Sequence, residues 1–314
     1  MECILLKMLP DLSDMILRSS EKLNSLQRAI LLSVAYADIF DYPLTAGEIH
    51  RYCGLKVPFN DIYAEIQGFR FLSQVGNYYS LPGREALIDI RIRRKENSAR
   101  LWPNALRYGQ AISRVPFVRM VAVTGSLAVN NTENHADIDY FIVTEPDFLW
   151  SCRAMVLTVG KFAGLRGFNL CPNFIVSTRA LKFQDQNLYV AHELAQMVPL
   201  SGFDVYAEIR HQNSWVTDLL PNIDGPPLMP VPINPKESNT WLRHVIESTL
   251  RIPPGKWFER WEMDRKVRKL SHQQGESGES IFSADVCKGH DQRHQSRTRQ
   301  LLDSNLEKLL SLIH

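Results

Sequence analysis

Residues 123–144 read VTGSLAVNNTENHADIDYFIVT. A Gly125-Ser126 pair comes first, ten residues follow, and Asp137-Ile138-Asp139 then opens an apolar run. In a strand, residues i and i+2 point the same way, so Asp137 and Asp139 share one face while Ile138, Tyr140 and Ile142 share the other. Two carboxylates held side by side repel each other, and the arrangement is costly without compensation. A divalent cation is the natural compensation, and Mg²⁺ favours carboxylate oxygens together with phosphate oxygens. Gly125 lets backbone approach a phosphate closely, and Ser126 offers a hydroxyl and an N–H at the start of a helix, where the backbone dipole favours anions. These residue types in this order describe a site for a metal-chelated nucleoside triphosphate.

The surroundings alternate as an α/β domain does. FVRMVAV (117–123) reads as a strand, GSLAVNN as a turn with a short helix, and DIDYFIV as a second strand. A helix from about 146 to 165 follows a cap, a proline and first-turn acids. LCPNFIVS (170–177) is a third strand, and DQNLYVAHELAQMV (185–198) and DVYAEIRHQNSWVTDLL (204–220) are two further helices.

On VTGS and DIDY the chain resembles the DNA polymerase β-like nucleotidyltransferase superfamily, over about residues 117 to 200. That superfamily carries a hydrophobic-Gly-[Gly/Ser] turn and, roughly ten residues later, Asp-hydrophobic-[Asp/Glu]-hydrophobic on the next strand. The resemblance implies an α/β (α+β) nucleotidyltransferase fold, a mixed sheet flanked by helices. In it Asp137 and Asp139 would hold Mg²⁺ or Mn²⁺, and Gly125 and Ser126 would bind the phosphates of a nucleoside triphosphate, ATP being the default. It also implies attack of an acceptor hydroxyl on the α-phosphate with loss of pyrophosphate, an in-line displacement. The superfamily usually adds a third carboxylate on a following strand. Asn173 stands at the corresponding place in LCPNFIVS; an amide oxygen can ligate a metal but brings no charge and cannot act as a base. Glu193, in AHEL, and Asp185 are the substitutes within reach in the sequence. His135 precedes the aspartates and could reach phosphate, and Arg119 sits on the strand that feeds the turn.

Other readings of the same residues stay open. Asp-x-Asp also occurs in glycosyltransferases, where the pair holds Mn²⁺ and a nucleotide-sugar diphosphate; alternatively Ser126 caps a helix and the aspartates cap a strand end in solvent. An EF-hand is excluded, because DIDYFI lacks the glycine and the further oxygen ligands.

Ahead of this core, residues 1–83 form a first unit. NSLQRAILLSVAYA (24–37) has helical spacing, DYPLT turns the chain with Thr45 as N-cap, and a third helical pattern runs over roughly 59–71. Two β-prone runs around Gly76-Asn77 then give a hairpin signal. Three helices and a hairpin predict a winged-helix-like domain that binds DNA or a protein partner, or a small helical packing domain. Residues 84–116 form a basic helical connector, read as interrupted at Pro103, and the segment 84–119 carries a net charge of +6. The core spans 117–222, and 223–314 combines a proline-rich linker (221–235) with a helical C-terminal region. There, Trp257 and Trp261 predict a packing seam, residues 273–280 a loop, and 287–313 a last polar helix.

Composition narrows the class. The chain has 314 residues, 45% hydrophobic and 22% charged, with a net charge of +2; these are values of an ordinary globular protein without a forced nucleic-acid or membrane partner. No apolar run approaches the ~20 residues that span a bilayer. The N-terminal stretch lacks the basic region of a signal peptide. Five scattered cysteines without CxxC spacing predict reduced thiols in a cytoplasmic protein. Cys287, His290 and His294 have ligand-like spacing without an evident fourth ligand. Two functions follow: a metal-dependent nucleotidyltransferase, or a catalytically weak nucleotide-sensing regulator acting through its N-terminal domain.

Overall fold

The computed structural model describes residues 23–227, 240–273, 281–289 and most of 297–305. It is a mixed α/β structure with one six-stranded and one three-stranded sheet among its described residues.

Helices α1 (Ser25–Asp38), α2 (Ala46–Tyr52) and α3 (Phe59–Ile66) come first, with β1 (Leu44–Thr45), β2 (Ser73–Val75) and β3 (Tyr78–Ser80). Capping boxes start two of the helices. The Asn24 side chain accepts from Gln27 N–H and Gln27 reciprocates, and Thr45 and Glu48 do the same at α2. The three strands pair antiparallel in the order β1-β3-β2, with Gly76 at positive φ in the β2–β3 turn. The hairpin signal at Gly76-Asn77 is therefore met.

Next comes α4 (Leu87–Ser113), one unbroken helix of 27 residues. The interruption expected at Pro103 is absent, because contacts on both sides hold the helix through it. Trp102 Nε1 donates to Asn130 Oδ1 at 2.8 Å, and the Ala105 carbonyl accepts from Tyr140 Oη at 2.7 Å. Trp102, Ala105, Tyr108 and Ile112 are buried at helical spacing against the main sheet.

The main sheet contains β4 (Val118–Val123), β5 (Ile138–Thr144), β6 (Leu170–Ser177), β7 (Val198–Ser201), β8 (Ile281–Phe282) and β9 (Val286–Lys288), in the order β7-β4-β5-β6-β9-β8. Only β5–β6 is parallel. Between them lie α5 (Gly125–Ala128), α6 (Leu149–Gly164), α7 (Leu188–Gln196), α8 (Phe203–Gln212) and α9 (Val216–Leu219); α10 (Thr240–Leu250) and α11 (Pro253–Gln273) precede the β8–β9 hairpin. Ile138, Tyr140 and Ile142 pack toward α4 and α6, while Phe141 and Val143 face α7 and the N-terminal helices. Both faces are covered, which explains the continuous apolar runs of β4 and β5.

Several local expectations are corrected. Residues 198–201 form an edge strand rather than the end of a helix, with Pro199 tolerated because an edge leaves one side of the backbone unpaired. Asn213 ends α8, its Nδ2 bonding the carbonyls of Leu181 and Ile209, so 204–220 is two helices. The C-terminal region is not purely helical: Cys287 pairs with Ile175 on β9 and turns into the core instead of opening a helix. Of the expected loop 273–280, Gln273 still belongs to α11; the rest of it, His290 and His294, most of the proline-rich linker and most of the last helix lie outside the described residues.

Trp257 and Trp261 form no buried seam. They stack on one another with centroids 6.4 Å apart and are 67% and 45% exposed. The face of α11 that turns inward carries Glu259 instead, whose carboxylate accepts from Trp150 N–H at 2.9 Å and Ser151 N–H at 2.7 Å. A carboxylate at the first turn of α6 satisfies orphan donors and complements the helix dipole.

Arg119 points away from the Gly-Ser turn into an ion-pair network with Glu145 and Glu247. Glu247 is 7% exposed and also accepts from Phe117 N–H at 2.7 Å and Arg243 Nε at 2.9 Å. Burial would raise its pKa, yet Arg119, the Phe117 N–H and Arg243 hold it down to about 2. Its contribution to stability is therefore present above the ordinary glutamate range and lost as pH falls toward 2. Glu247→Ala strands two arginines, partly exposed to solvent, and is expected to lower stability at neutral pH by on the order of 2 kcal/mol in chemical denaturation.

Candidate active site

The turn between β4 and α5 is built around Gly125, at φ +65°. A Cβ there would stand 2.5 Å from Asp139 Oδ2, so only glycine lets the turn lie against that carboxylate. Thr124 N–H donates to the Asp139 carbonyl at 3.1 Å, and the Ser126 carbonyl accepts from Asn131 N–H at 2.8 Å. The ten-residue spacer thus folds back and brings the Gly-Ser turn directly onto the start of β5.

Asp137 lies one residue before β5 and is exposed, whereas Asp139 is its second residue and half-buried. Both line one cavity of about 970 Å³, together with Gly125, Ser126, His135, Asn173, Asp185 and Glu193. The structure therefore gathers the candidate residues expected around the nucleotide, with Arg119 left out. His135, at φ +59°, and Asp185 are exposed at the rim.

Register decides what lies beside Asp139. Residues 139 and 141 of β5 pair with 171 and 174 of β6, so β6 spends one extra residue there. Pro172 accounts for the irregularity, since it has no N–H for a regular ladder. The extra residue makes Cys171 the cross-strand neighbour of Asp139, and its thiol hydrogen-bonds the carboxylate. Burial and Asp139 push the Cys171 thiol up to about 12. Asn173 reaches the cavity wall, but the position beside Asp139 is a cysteine. Sequence spacing missed this, because only the bulge at Pro172 sets it.

Burial raises Asp139 to about 6, with Asp137 adding to the shift and the Cys171 hydrogen bond opposing it. Glu193, on the inward face of α7, is raised to about 7 by burial and by Asp139, against the pull of Lys288. His192, beside it, is buried and stacks on Tyr36 with centroids 4.0 Å apart. Burial and then the Arg51 charge lower His192 to about 3, which keeps it neutral.

Among the described residues no three His, Cys, Asp or Glu side chains gather closely enough to cage a metal. A hard divalent cation needs no such cage where substrate phosphates complete its shell; one or two carboxylates suffice. Asp137 and Asp139, next to a glycine turn with no side chain in the way, fit that demand. No protein-family model, curated protein or solved structure matches the chain. No helix among the described residues is long and apolar enough to cross a membrane.

Three arginines of the basic segment pair with other side chains. Arg84 pairs with Asp38 and Asp41, Arg91 is buried against Glu48 and Tyr42, and Arg94 pairs with Glu133. Of these, Arg94 alone lines the cavity. The cavity's other cationic side chains, Arg179, Lys182 and Lys288, come from after the third strand and from β9, and no motif in the sequence pointed to them.

Proposed function

We propose that this chain is a metal-dependent nucleotidyltransferase of the polymerase β-like fold, moving a nucleoside monophosphate from a nucleoside triphosphate to an acceptor hydroxyl. The observation that carries the reading is the convergence, in one cavity, of the Gly125-Ser126 turn with Asp137 and Asp139. Gly125 and Ser126 would receive the β- and γ-phosphates, and Asp137 and Asp139 would hold Mg²⁺ or Mn²⁺. Bound there, the metal would neutralise phosphate charge and lower the cost of the in-line displacement. The acceptor oxygen forms a bond to the α-phosphorus, the α–β bridging bond breaks, and pyrophosphate leaves with its electron pair. Glu193 receives the acceptor's proton: it lines the same cavity, and burial beside Asp139 sets its pKa to about 7, where a base works best at neutral pH.

A second reading, a nucleotide-sensing regulator, is favoured by Cys171 standing where a third carboxylate would strengthen metal binding. The three helices and the β1-β3-β2 sheet support a winged-helix-like domain in either case. Its third helix displays Phe59, Asn60, Asp61, Tyr63 and Ala64 to solvent, a face with exposed aromatics and no cation, which suits a protein partner better than DNA.

The test is transfer of label from α-phosphate-labelled nucleoside triphosphates, with Mg²⁺ or Mn²⁺, to a cell extract or to the protein itself. Labelled product together with released pyrophosphate is expected. Nucleotide binding without any transfer would leave the sensor in its place.

A further inference from the structure

The lining of this cavity is of two kinds. One is the Gly-Ser turn with the two aspartates; the other is apolar, with Tyr36, Ala37 and Phe40 of the N-terminal unit, Val129, and Tyr189 and Leu194 of α7 among its members. This second wall is fixed in place on both flanks. On one flank, Tyr42 Oη donates to the Val129 carbonyl at 3.0 Å, Arg91 donates to the Asn130 carbonyl at 2.5 Å, and Asn131 Nδ2 donates to the Phe40 carbonyl at 3.2 Å. On the other, Arg51 donates to the Ala195 carbonyl at 2.9 Å, and Asn222 Nδ2 donates to the carbonyls of Cys53 at 3.2 Å and Leu55 at 2.8 Å. A shared apolar core joins the N-terminal helices to α7 and the sheet between these flanks.

A roof tied down on both sides does not swing aside to admit a polymer, and it turns apolar and aromatic surface toward the reacting end. A volume of about 970 Å³ lies at the upper end for a small-molecule pocket and leaves room beside one nucleotide. We infer that the half-cavity beneath the N-terminal helices binds a small molecule with an aromatic or otherwise apolar body. On the nucleotidyltransferase reading above, on which this role rests, that molecule is the acceptor. The N-terminal unit is then part of the substrate site. Its Tyr36 and Phe40 grip the acceptor body, and the acceptor hydroxyl projects toward Glu193 and Asp139.

Two measurements on the full chain test this. The first uses the aromatic probe 1-anilinonaphthalene-8-sulfonate, followed by fluorescence with and without saturating ATP and Mg²⁺. The probe is expected to bind alongside the nucleotide. Ala37→Trp, which fills the half-cavity, is expected to weaken it roughly tenfold or more while nucleotide affinity is kept. Phe40→Ala, at a rim position 43% exposed where truncation spares the core, is expected to weaken it by a smaller factor. Complete displacement of the probe by nucleotide would assign this half to the base of the triphosphate and overturn the inference. Probe binding indifferent to both substitutions would overturn it as well.

The second measurement passes the labelled extract through a membrane that retains proteins and nucleic acids. Label is expected in the filtrate, on a species held longer by a reversed-phase column than the free nucleotide. Label confined to the retained fraction would overturn the inference while leaving the transferase reading intact. Probe binding that obeys both substitutions, with no label in either fraction, would end the transferase reading and keep the small-molecule site.

Discussion

The double substitution Asp137→Asn/Asp139→Asn is expected to reduce nucleotidyl transfer by on the order of a thousandfold or more. It removes both anionic ligands at once and leaves the Gly125 turn without its charged neighbour. Metal-dependent nucleotide binding, measured by calorimetry with and without chelator, should fall with it. The fold should not suffer. The Asp139 pKa of about 6, against an ordinary 3.8, means that the folded state binds this proton more tightly than the unfolded chain does. Folding stability is therefore favoured while the group is protonated and declines as pH rises from about 4 to about 6. Asp139→Asn removes that penalty and is expected to stabilise the metal-free protein at neutral pH by on the order of 2 kcal/mol. A variant that is inactive and more stable than wild type is the signature of a residue kept for function. A double variant that transfers at the wild-type rate would sink the site assignment.

The second large effect concerns acid. His192 is held neutral, with its pKa near 3 against an ordinary 6.5, so between these values the unfolded chain binds the proton that the folded chain refuses. Stability then falls as pH drops from about 6.5 to about 3, by on the order of 4 kcal/mol in total. Glu193 works in the opposite direction. Its pKa of about 7 against 4.5 makes the folded state gain stability as pH falls through that interval. The two residues are adjacent on α7 and largely offset each other, so between pH 7 and about 4.5 the wild-type change is left mainly to Asp139, which favours the folded state as pH falls. Separating them exposes each limb. Relative to wild type, Glu193→Gln should lose stability as pH falls below neutrality, and His192→Phe, which keeps the stack on Tyr36, should gain it. Denaturation midpoints across this pH range for the two variants would decide it; parallel curves would show that neither group carries the linkage.

The local part of the site was legible in the sequence because its chemistry is local. Gly125, Ser126, Asp137 and Asp139 sit within fifteen residues, and a turn that requires glycine next to a repelling pair of carboxylates leaves few bland explanations. The strands β4, β5 and β6 announced themselves as apolar runs bounded by turn residues. Features set by distant contacts stayed hidden. Pro103 reads as a break until Trp102 and Ala105 find partners in residues 130 and 140. The register slip at Pro172, which sets Cys171 beside Asp139, depends on the partner strand. Periodicity also assigned Trp257 and Trp261 to an inward seam, although the inward position on this helix is taken by Glu259, a carboxylate that caps another helix. Lys182 and Lys288 reach the cavity from the loop after β6 and from β9, and neither belongs to a pattern readable along the chain.

The pairing of β6 with β9 carries a consequence for biogenesis. Phe174 of β6 waits for Lys288, across more than a hundred residues of intervening chain. Until the ribosome has delivered that segment, the Phe174-Ile175-Val176 edge of a growing sheet has backbone donors and acceptors with nothing to bind, next to strongly apolar side chains. Such an edge templates pairing with other chains, and late, non-local closure slows folding. Nascent chains halted before β9 are therefore the form of this protein most prone to aggregate and most in need of a chaperone.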